Sequence, residues 1–243
     1  MEKHKKQAII LVATCVMLFS GAWMRVQAKL HSLDENGGTN STDGAYTDKA
    51  WTEGSLPSET EPAVYTQATA LKGMTAEEVI EAVAPLFTAD MQESGVLASV
   101  SLAQFILESG YGKSELSQNA NNGFGMKENL SGNTWAGSTW EEGSVYEKKT
   151  QEFVNGEYIT IVSAFRKYDC LEDSIADHSA YLVGAKRGSG MRYEGIVGET
   201  DYREAITIIK NGGYATSPTY ITRICELIEQ YDLTRYDIWE TEP

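Results

Sequence analysis

The sequence predicts an α+β domain, mainly helical, that carries one small β-hairpin. Three observations lead there. Thr75-Ala76-Glu77-Glu78 has the form of a capping box and stands just ahead of Val79, Ile80, Val83 and Leu86, apolar at helical spacing. Leu97, Val100, Leu102, Ala103, Phe105, Ile106 and Leu107 cover most of the circumference of a second helix over 96–109, which must therefore be buried. Residues 145–154 and 157–165 have strand character on either side of Asn155-Gly156, a strong hairpin turn signal.

Taken in order, the chain divides into three parts. Residues 1–28 start basic (MEKHKK) and continue into an uncharged apolar run over 8–24. A basic start followed by such a run is a membrane-targeting pattern. Two outcomes fit it: a retained single-pass anchor, or a signal peptide cleaved after Val26-Gln27-Ala28. Either one places the following residues on the outer side of the membrane. Residues 29–72 are rich in Gly, Ser, Thr, Asp and Glu and poor in apolar side chains, so they cannot bury enough surface to offset chain entropy. They are expected to form an acidic, flexible linker. Residues 73–240 are the folded body.

Within the body the 96–109 helix stops at Gly110, a residue suited to a left-handed C-cap. Residues 121–135 (NNGFGMKENLSGNTW) have loop chemistry. Helical spacing returns at Leu171, Ile175, His178 and Leu182, and again from Tyr202 to Lys210, ahead of Gly212-Gly213. The last helix is expected to start with Ser217 as N-cap and Pro218 in its first turn and to run to about Tyr231. Cys170 and Cys225 have no spacing that demands a disulfide, and free buried thiols are the expectation.

Net charge is −15, and the body is the main source, with twenty-seven acids against thirteen Lys/Arg over 73–243. A surface this acidic argues against nucleic-acid binding, which needs clustered cations. His178 is the one histidine of the body, and the two body cysteines are not at ligand spacing, so no metal site is expected. Phosphate-loop and dinucleotide fingerprints are absent from the sequence, and no cofactor is expected.

Glu108 carries the chemistry. A carboxyl group at the edge of an apolar helix is poorly solvated when ionised, so its pKa should rise and it can stay protonated near neutral pH. That is what a general acid in glycosidic cleavage requires. Gly110 and Gly112 would let a substrate approach the backbone beside it. The plain alternative is a surface glutamate on a fraying helix end.

Five stretches, in order, carry a resemblance. ILESGYGKSEL (106–116) is similar to the E-S-G-x-G signature of bacterial cell-wall β-N-acetylglucosaminidases, glycoside hydrolase family 73. NNGFGMK (121–127), TQEFVNGEYITIVSAFRKY (150–168), DSIADHSAYL (173–182) and GYATSPTY (213–220) resemble that family's further motifs. Two departures stand out: Phe153 where the hairpin motif usually has Tyr, and Ser217 where the last motif usually has Asp.

The resemblance implies a lysozyme-like fold and a peptidoglycan hydrolase that cuts between N-acetylglucosamine and N-acetylmuramic acid. It implies Glu108 as catalytic acid, Glu152 on the hairpin as a second carboxylate, and Tyr214 beside the reaction centre. Substrate contacts are expected from Tyr111 and Phe124 by ring stacking and from Asn121 and Asn122 by hydrogen bonds, unless the two asparagines merely support a loop. Trp135 and Trp140 are further stacking candidates, and Glu141, Glu142 and Glu147 are reserve candidates for the second carboxylate. The rival enzyme is a lytic transglycosylase or muramidase of the same fold. The rival from another class is a non-catalytic wall-binding adaptor. The expected partners are peptidoglycan strands, together with the membrane if the N-terminal run is retained.

Overall fold

The computed structural model describes residues 65–133, 135–154 and 157–239, the side chains of 150–159 excepted. The apolar run over 8–24 and the linker up to residue 64 lie outside the described residues, as does the Asn155-Gly156 turn. Among the described residues no helix is long and apolar enough to cross a membrane.

Helix α1 (Ala76–Ser94) starts with the expected capping box. Glu78 N donates to Thr75 Oγ1 at 3.2 Å and Thr75 N donates to Glu78 Oε2 at 2.8 Å. Glu77 and Glu78 in the first turn also complement the helix dipole. Helix α2 (Ala98–Ser109) is buried from Ala98 through Ile106, as its all-round apolar sequence requires. Phe105 on α2 meets Phe87 on α1 and Phe124 of the following loop, at ring-centroid distances of 5.6 and 6.1 Å. Burying each such ring contributes roughly 2–3 kcal/mol.

A short helix α3 (Glu115–Ala120), absent from the sequence reading, leads into the 121–135 loop. Strands β1 (Val145–Val154) and β2 (Glu157–Arg166) pair antiparallel as expected, from Val145 opposite Arg166 to Val154 opposite Glu157. The loop adds a rung to β2: Arg166 N donates to Met126 O at 2.9 Å and Glu128 N to Ala164 O at 3.0 Å. The hairpin base is thereby fixed beside residues 126–128.

Helix α4 (Leu171–Gly184) follows, then a two-residue ribbon of β3 (Lys186–Arg187) and β4 (Gly190–Met191), helix α5 (Tyr202–Asn211) and helix α6 (Tyr220–Gln230). α6 starts later than expected. Its N-cap is Thr219, and Ser217 Oγ accepts from Thr219 N at 3.3 Å in the turn ahead of the helix. Cys170 and Cys225 are buried, and no disulfide joins them.

The body also begins earlier than residue 73. Ala68 and Leu71, in a 3-10 turn over Ala68–Leu71, are buried in the core. Thr66 O accepts from Leu171 N and Thr66 N donates to the Glu172 carboxylate, both at 2.9 Å. The last residues assigned to the linker are therefore structural. Composition hides this because only Ala68 and Leu71 anchor the segment and backbone hydrogen bonds hold the rest.

Candidate active site

Glu108 stands on the last turn of α2. The helix stops because Gly110 adopts a left-handed conformation (φ 57°), which Tyr111 (61°) and Gly112 (71°) continue. Ser109 Oγ donates to Phe105 O at 2.5 Å and accepts from Gly112 N at 2.6 Å, tying the break to the helix. A Cβ on Gly110 would meet open space, so the backbone angle alone asks for glycine there. On Gly112 it would lie 2.6 Å from Leu71 Cδ1 and 3.2 Å from Phe105 Cζ. Gly112 therefore closes against the core and leaves no room for substrate, contrary to the expectation from sequence.

Glu108 opens onto a groove of about 720 Å³. Its walls are Leu107 and Glu108 on α2, residues 124–127 with Leu130, Tyr181 on α4, residues 214–217, and Tyr220 and Arg223 on α6. Glu108 is exposed on the groove side, while protein surrounds the rest of its carboxyl group. That desolvation raises its pKa above the usual glutamate value; a hydrogen bond from Tyr220 and the charge of Arg223 pull it partly back. The Tyr220 hydroxyl in turn accepts from Gln104 Nε2 at 3.0 Å. Gln104 lies one turn before Glu108 on α2, and Arg223 one turn after Tyr220 on α6. Two facing helix stripes thus hold one carboxyl group.

Across the groove, the half-buried Tyr214 places its hydroxyl 3.1 Å from His178 Nε2. His178 is fully buried and stacks on Phe124, with ring centroids 3.8 Å apart and planes 8° from parallel. Burial lowers its pKa to about 3, so the imidazole is neutral at neutral pH. Burial likewise pushes the Tyr214 hydroxyl upward and keeps it protonated.

The sequence profile described as mannosyl-glycoprotein endo-β-N-acetylglucosaminidase, the glucosaminidase family, matches residues 84–233. The chain belongs to this family. It is similar to the exo-glucosaminidase LytG of Bacillus subtilis, 37% identical over 142 residues, covering 58% of this chain and 46% of that protein. A probable N-acetylmuramidase of Lactococcus lactis is 33% identical over 166 residues, covering 67% of this chain and 35% of that protein. The chain thus spans under half the length of either relative. The crystal structure of the catalytic domain of the autolysin Auto from Listeria monocytogenes superposes with a TM-score of 0.57 at 26% identity, covering 70% of this chain and 93% of that one. The fold is lysozyme-like, as the sequence resemblance implies.

Within this glucosaminidase domain Glu108, Phe124 and Tyr214 line one groove, and Tyr111, Asn121 and Asn122 do not. The Tyr111 hydroxyl is 2.9 Å from that of Tyr231, and the two rings meet edge to face, so Tyr111 packs against the end of α6. Asn121 accepts from Ala68 N at 2.9 Å and donates to the Tyr168 and Asp169 carbonyls. Asn122 donates to Met126 O and Arg166 O and accepts from Met126 N. Both asparagines support the loop, the plainer of their two expected roles.

Trp135 and Trp140 sandwich the Arg166 guanidinium at 4.6 and 4.4 Å. Their rings serve a buried cation rather than a sugar. Glu152 sits on β1 opposite Ile159, and its side chain lies outside the described residues. Glu141, Glu142 and Glu147 do not line the groove. Among its described lining residues Glu108 is the one carboxylate. Tyr220, Gln104 and Arg223 are not among the residues expected from sequence; the signal that points to Gln104 and Arg223 is their helical spacing, i−4 from Glu108 and i+3 from Tyr220.

Proposed function

We propose that this domain hydrolyses peptidoglycan, cutting the β-1,4 bond on the reducing side of N-acetylglucosamine, with Glu108 as general acid. The observation that carries the proposal is the Glu108 carboxyl at the wall of an aromatic-lined groove, where desolvation raises its pKa above the usual glutamate value. The glucosaminidase and autolysin names of its relatives support the same substrate.

Glu108 delivers its proton to the glycosidic oxygen as the C1–O bond breaks. In the route that the groove favours, the sugar's own 2-acetamido oxygen attacks C1, and water then opens the cyclic intermediate. Tyr214 faces Glu108 across the groove and suits this route. If His178 Nε2–H donates to the Tyr214 oxygen, the Tyr214 proton points to the acetamide carbonyl. In the second route Glu152 acts as base for water. Anomeric stereochemistry separates the two: neighbouring-group attack retains configuration and direct attack of water inverts it.

The decisive experiment is Glu108→Gln assayed on purified peptidoglycan. Hydrolysis should fall by about 10²–10⁴-fold while the fold survives, as read by circular dichroism. Full activity in this variant would remove the assignment. Mass spectrometry of the wild-type products should show reducing N-acetylglucosamine. Reducing N-acetylmuramic acid would favour the muramidase reading, which the name of the Lactococcus relative supports; anhydro-muramic ends would mark a transglycosylase. The basic start and apolar run of residues 1–28 support a location at the outer face of the membrane or in the wall, either anchored or released. Western blotting of membrane and culture fractions distinguishes these.

A further inference from the structure

Resting on the reading of wall glycan as substrate, we propose that Lys186, Arg187 and Arg192 form a carboxylate-binding pocket beside the groove. It receives an acid group on the peptide stems that hang from the glycan. The pocket holds about 210 Å³ and is lined by these three cations with Gly212 and Gly213. That is too little for a disaccharide and enough for a carboxylate and its carbon stem.

Arg192 is the built part of the pocket. It is half-buried, and its guanidinium donates to Gly212 O at 2.7 Å, Gly213 O at 3.0 Å, Ser131 Oγ at 3.0 Å and the Tyr181 hydroxyl at 2.6 Å. Every one of these partners is neutral, so the positive charge is positioned without being compensated. Lys186 and Arg187, exposed on β3, add two more charges. Among the described residues no carboxylate forms an ion pair with any of the three. Such a concentration of unopposed cations runs against a chain whose net charge is −15.

Two links join the pocket to the groove. The Tyr181 hydroxyl accepts from Arg192, and Tyr181 lines the groove. Gly213, which Arg192 also holds, directly precedes Tyr214 of the groove wall. A glycan lying in the groove would bring the acidic groups of its stems next to this cationic corner, where a guanidinium and an ammonium favour a carboxylate.

The test compares two wall preparations: native peptidoglycan, and the same material with its stem carboxylates capped as methylamides. Glu108→Gln protein is used so that binding is read without digestion, by co-sedimentation at 50 mM salt. Capping should weaken retention by about three- to ten-fold, and 500 mM salt should remove the difference by screening. Adding Lys186→Gln and Arg187→Gln should shrink the difference between the two walls, with the melting temperature as the folding control. Net charge alone predicts the opposite sign, because capping relieves repulsion from an acidic protein. The pocket is therefore refuted if capping leaves retention unchanged or strengthens it, or if the double substitution leaves the discrimination undiminished. It is also refuted if discrimination disappears once phosphodiester polymers are stripped from the wall. Hydrolysis of native walls by the wild-type chain, measured in parallel, reads the glycosidase assignment alone. Its failure alongside intact discrimination would overturn that assignment and leave the pocket standing.

Discussion

Tyr220 sits at the junction between the core and the chemistry, since its hydroxyl accepts from buried Gln104 and donates to Glu108. Tyr220→Phe removes a donor that favours the ionised carboxylate, so the Glu108 pKa should climb further. A general acid works while protonated; its activity is present below its folded pKa and is lost as pH rises through it. The alkaline limb of the kcat/KM profile should therefore move to higher pH in Tyr220→Phe, and a limb that stays in place or moves down would refute the coupling. The same substitution leaves Gln104 Nε2 without its partner, at about 1–3 kcal/mol of stability, measurable by urea denaturation. Glu108 itself was legible in the sequence because an apolar helix and a glycine break bracket it. Tyr220 was not, because at its position in α6 it has the pattern of an ordinary core residue. Asn121 and Asn122 look equally suited to sugar or to backbone, and only the carbonyls they meet decide between the two.

Between elements, the hairpin and α4 are joined by a buried ion pair. Arg166 Nη1 lies 2.7 Å from Asp177 Oδ2, with exposures of 1% and 0%. The Tyr168 hydroxyl donates to the same oxygen at 2.7 Å and Ser138 Oγ to Oδ1 at 2.6 Å. Two of the recognised motifs, FRKY over 165–168 and DH at 177–178, are thus halves of one clasp, a link that linear spacing cannot reveal. Asp177→Asn leaves the guanidinium buried without its counter-charge and should cost about 3–5 kcal/mol, read as a lowered urea midpoint. A second joint, between α1 and α4, titrates. Asp90 Oδ2 accepts from Ser179 Oγ at 2.6 Å, and burial raises the Asp90 pKa from 3.8 to about 7. Its protonated form is the better fit to the fold, so its contribution is fully present below pH 3.8 and is lost as pH rises to about 7. Asp90→Asn should therefore melt higher than wild type by an increment that grows from pH 4 to 7 and then levels off. The hairpin and the helices were legible because their periods of two and 3.6 differ so plainly. The start of α6 was not, because Ser217 and Thr219 are both good caps and the turn geometry chose the second.

At the scale of the molecule, composition placed the body's edge too late. Leu71 plugs the space left by the missing side chain of Gly112, and Thr66 is bonded to the start of α4. A chain starting at Gly73 should melt several degrees below one starting at Val64, as differential scanning calorimetry would show; equal melting would mean the segment over 65–72 is idle. Composition also spreads charge evenly over a surface on which the structure gathers cations at one corner. Finally, the Arg166 sandwich between Trp135 and Trp140 gives the domain an optical signal of its own. Two of its three indoles are pressed on one guanidinium, so their emission will report, without any attached dye, the moment at which the hairpin lets go of the helix behind it.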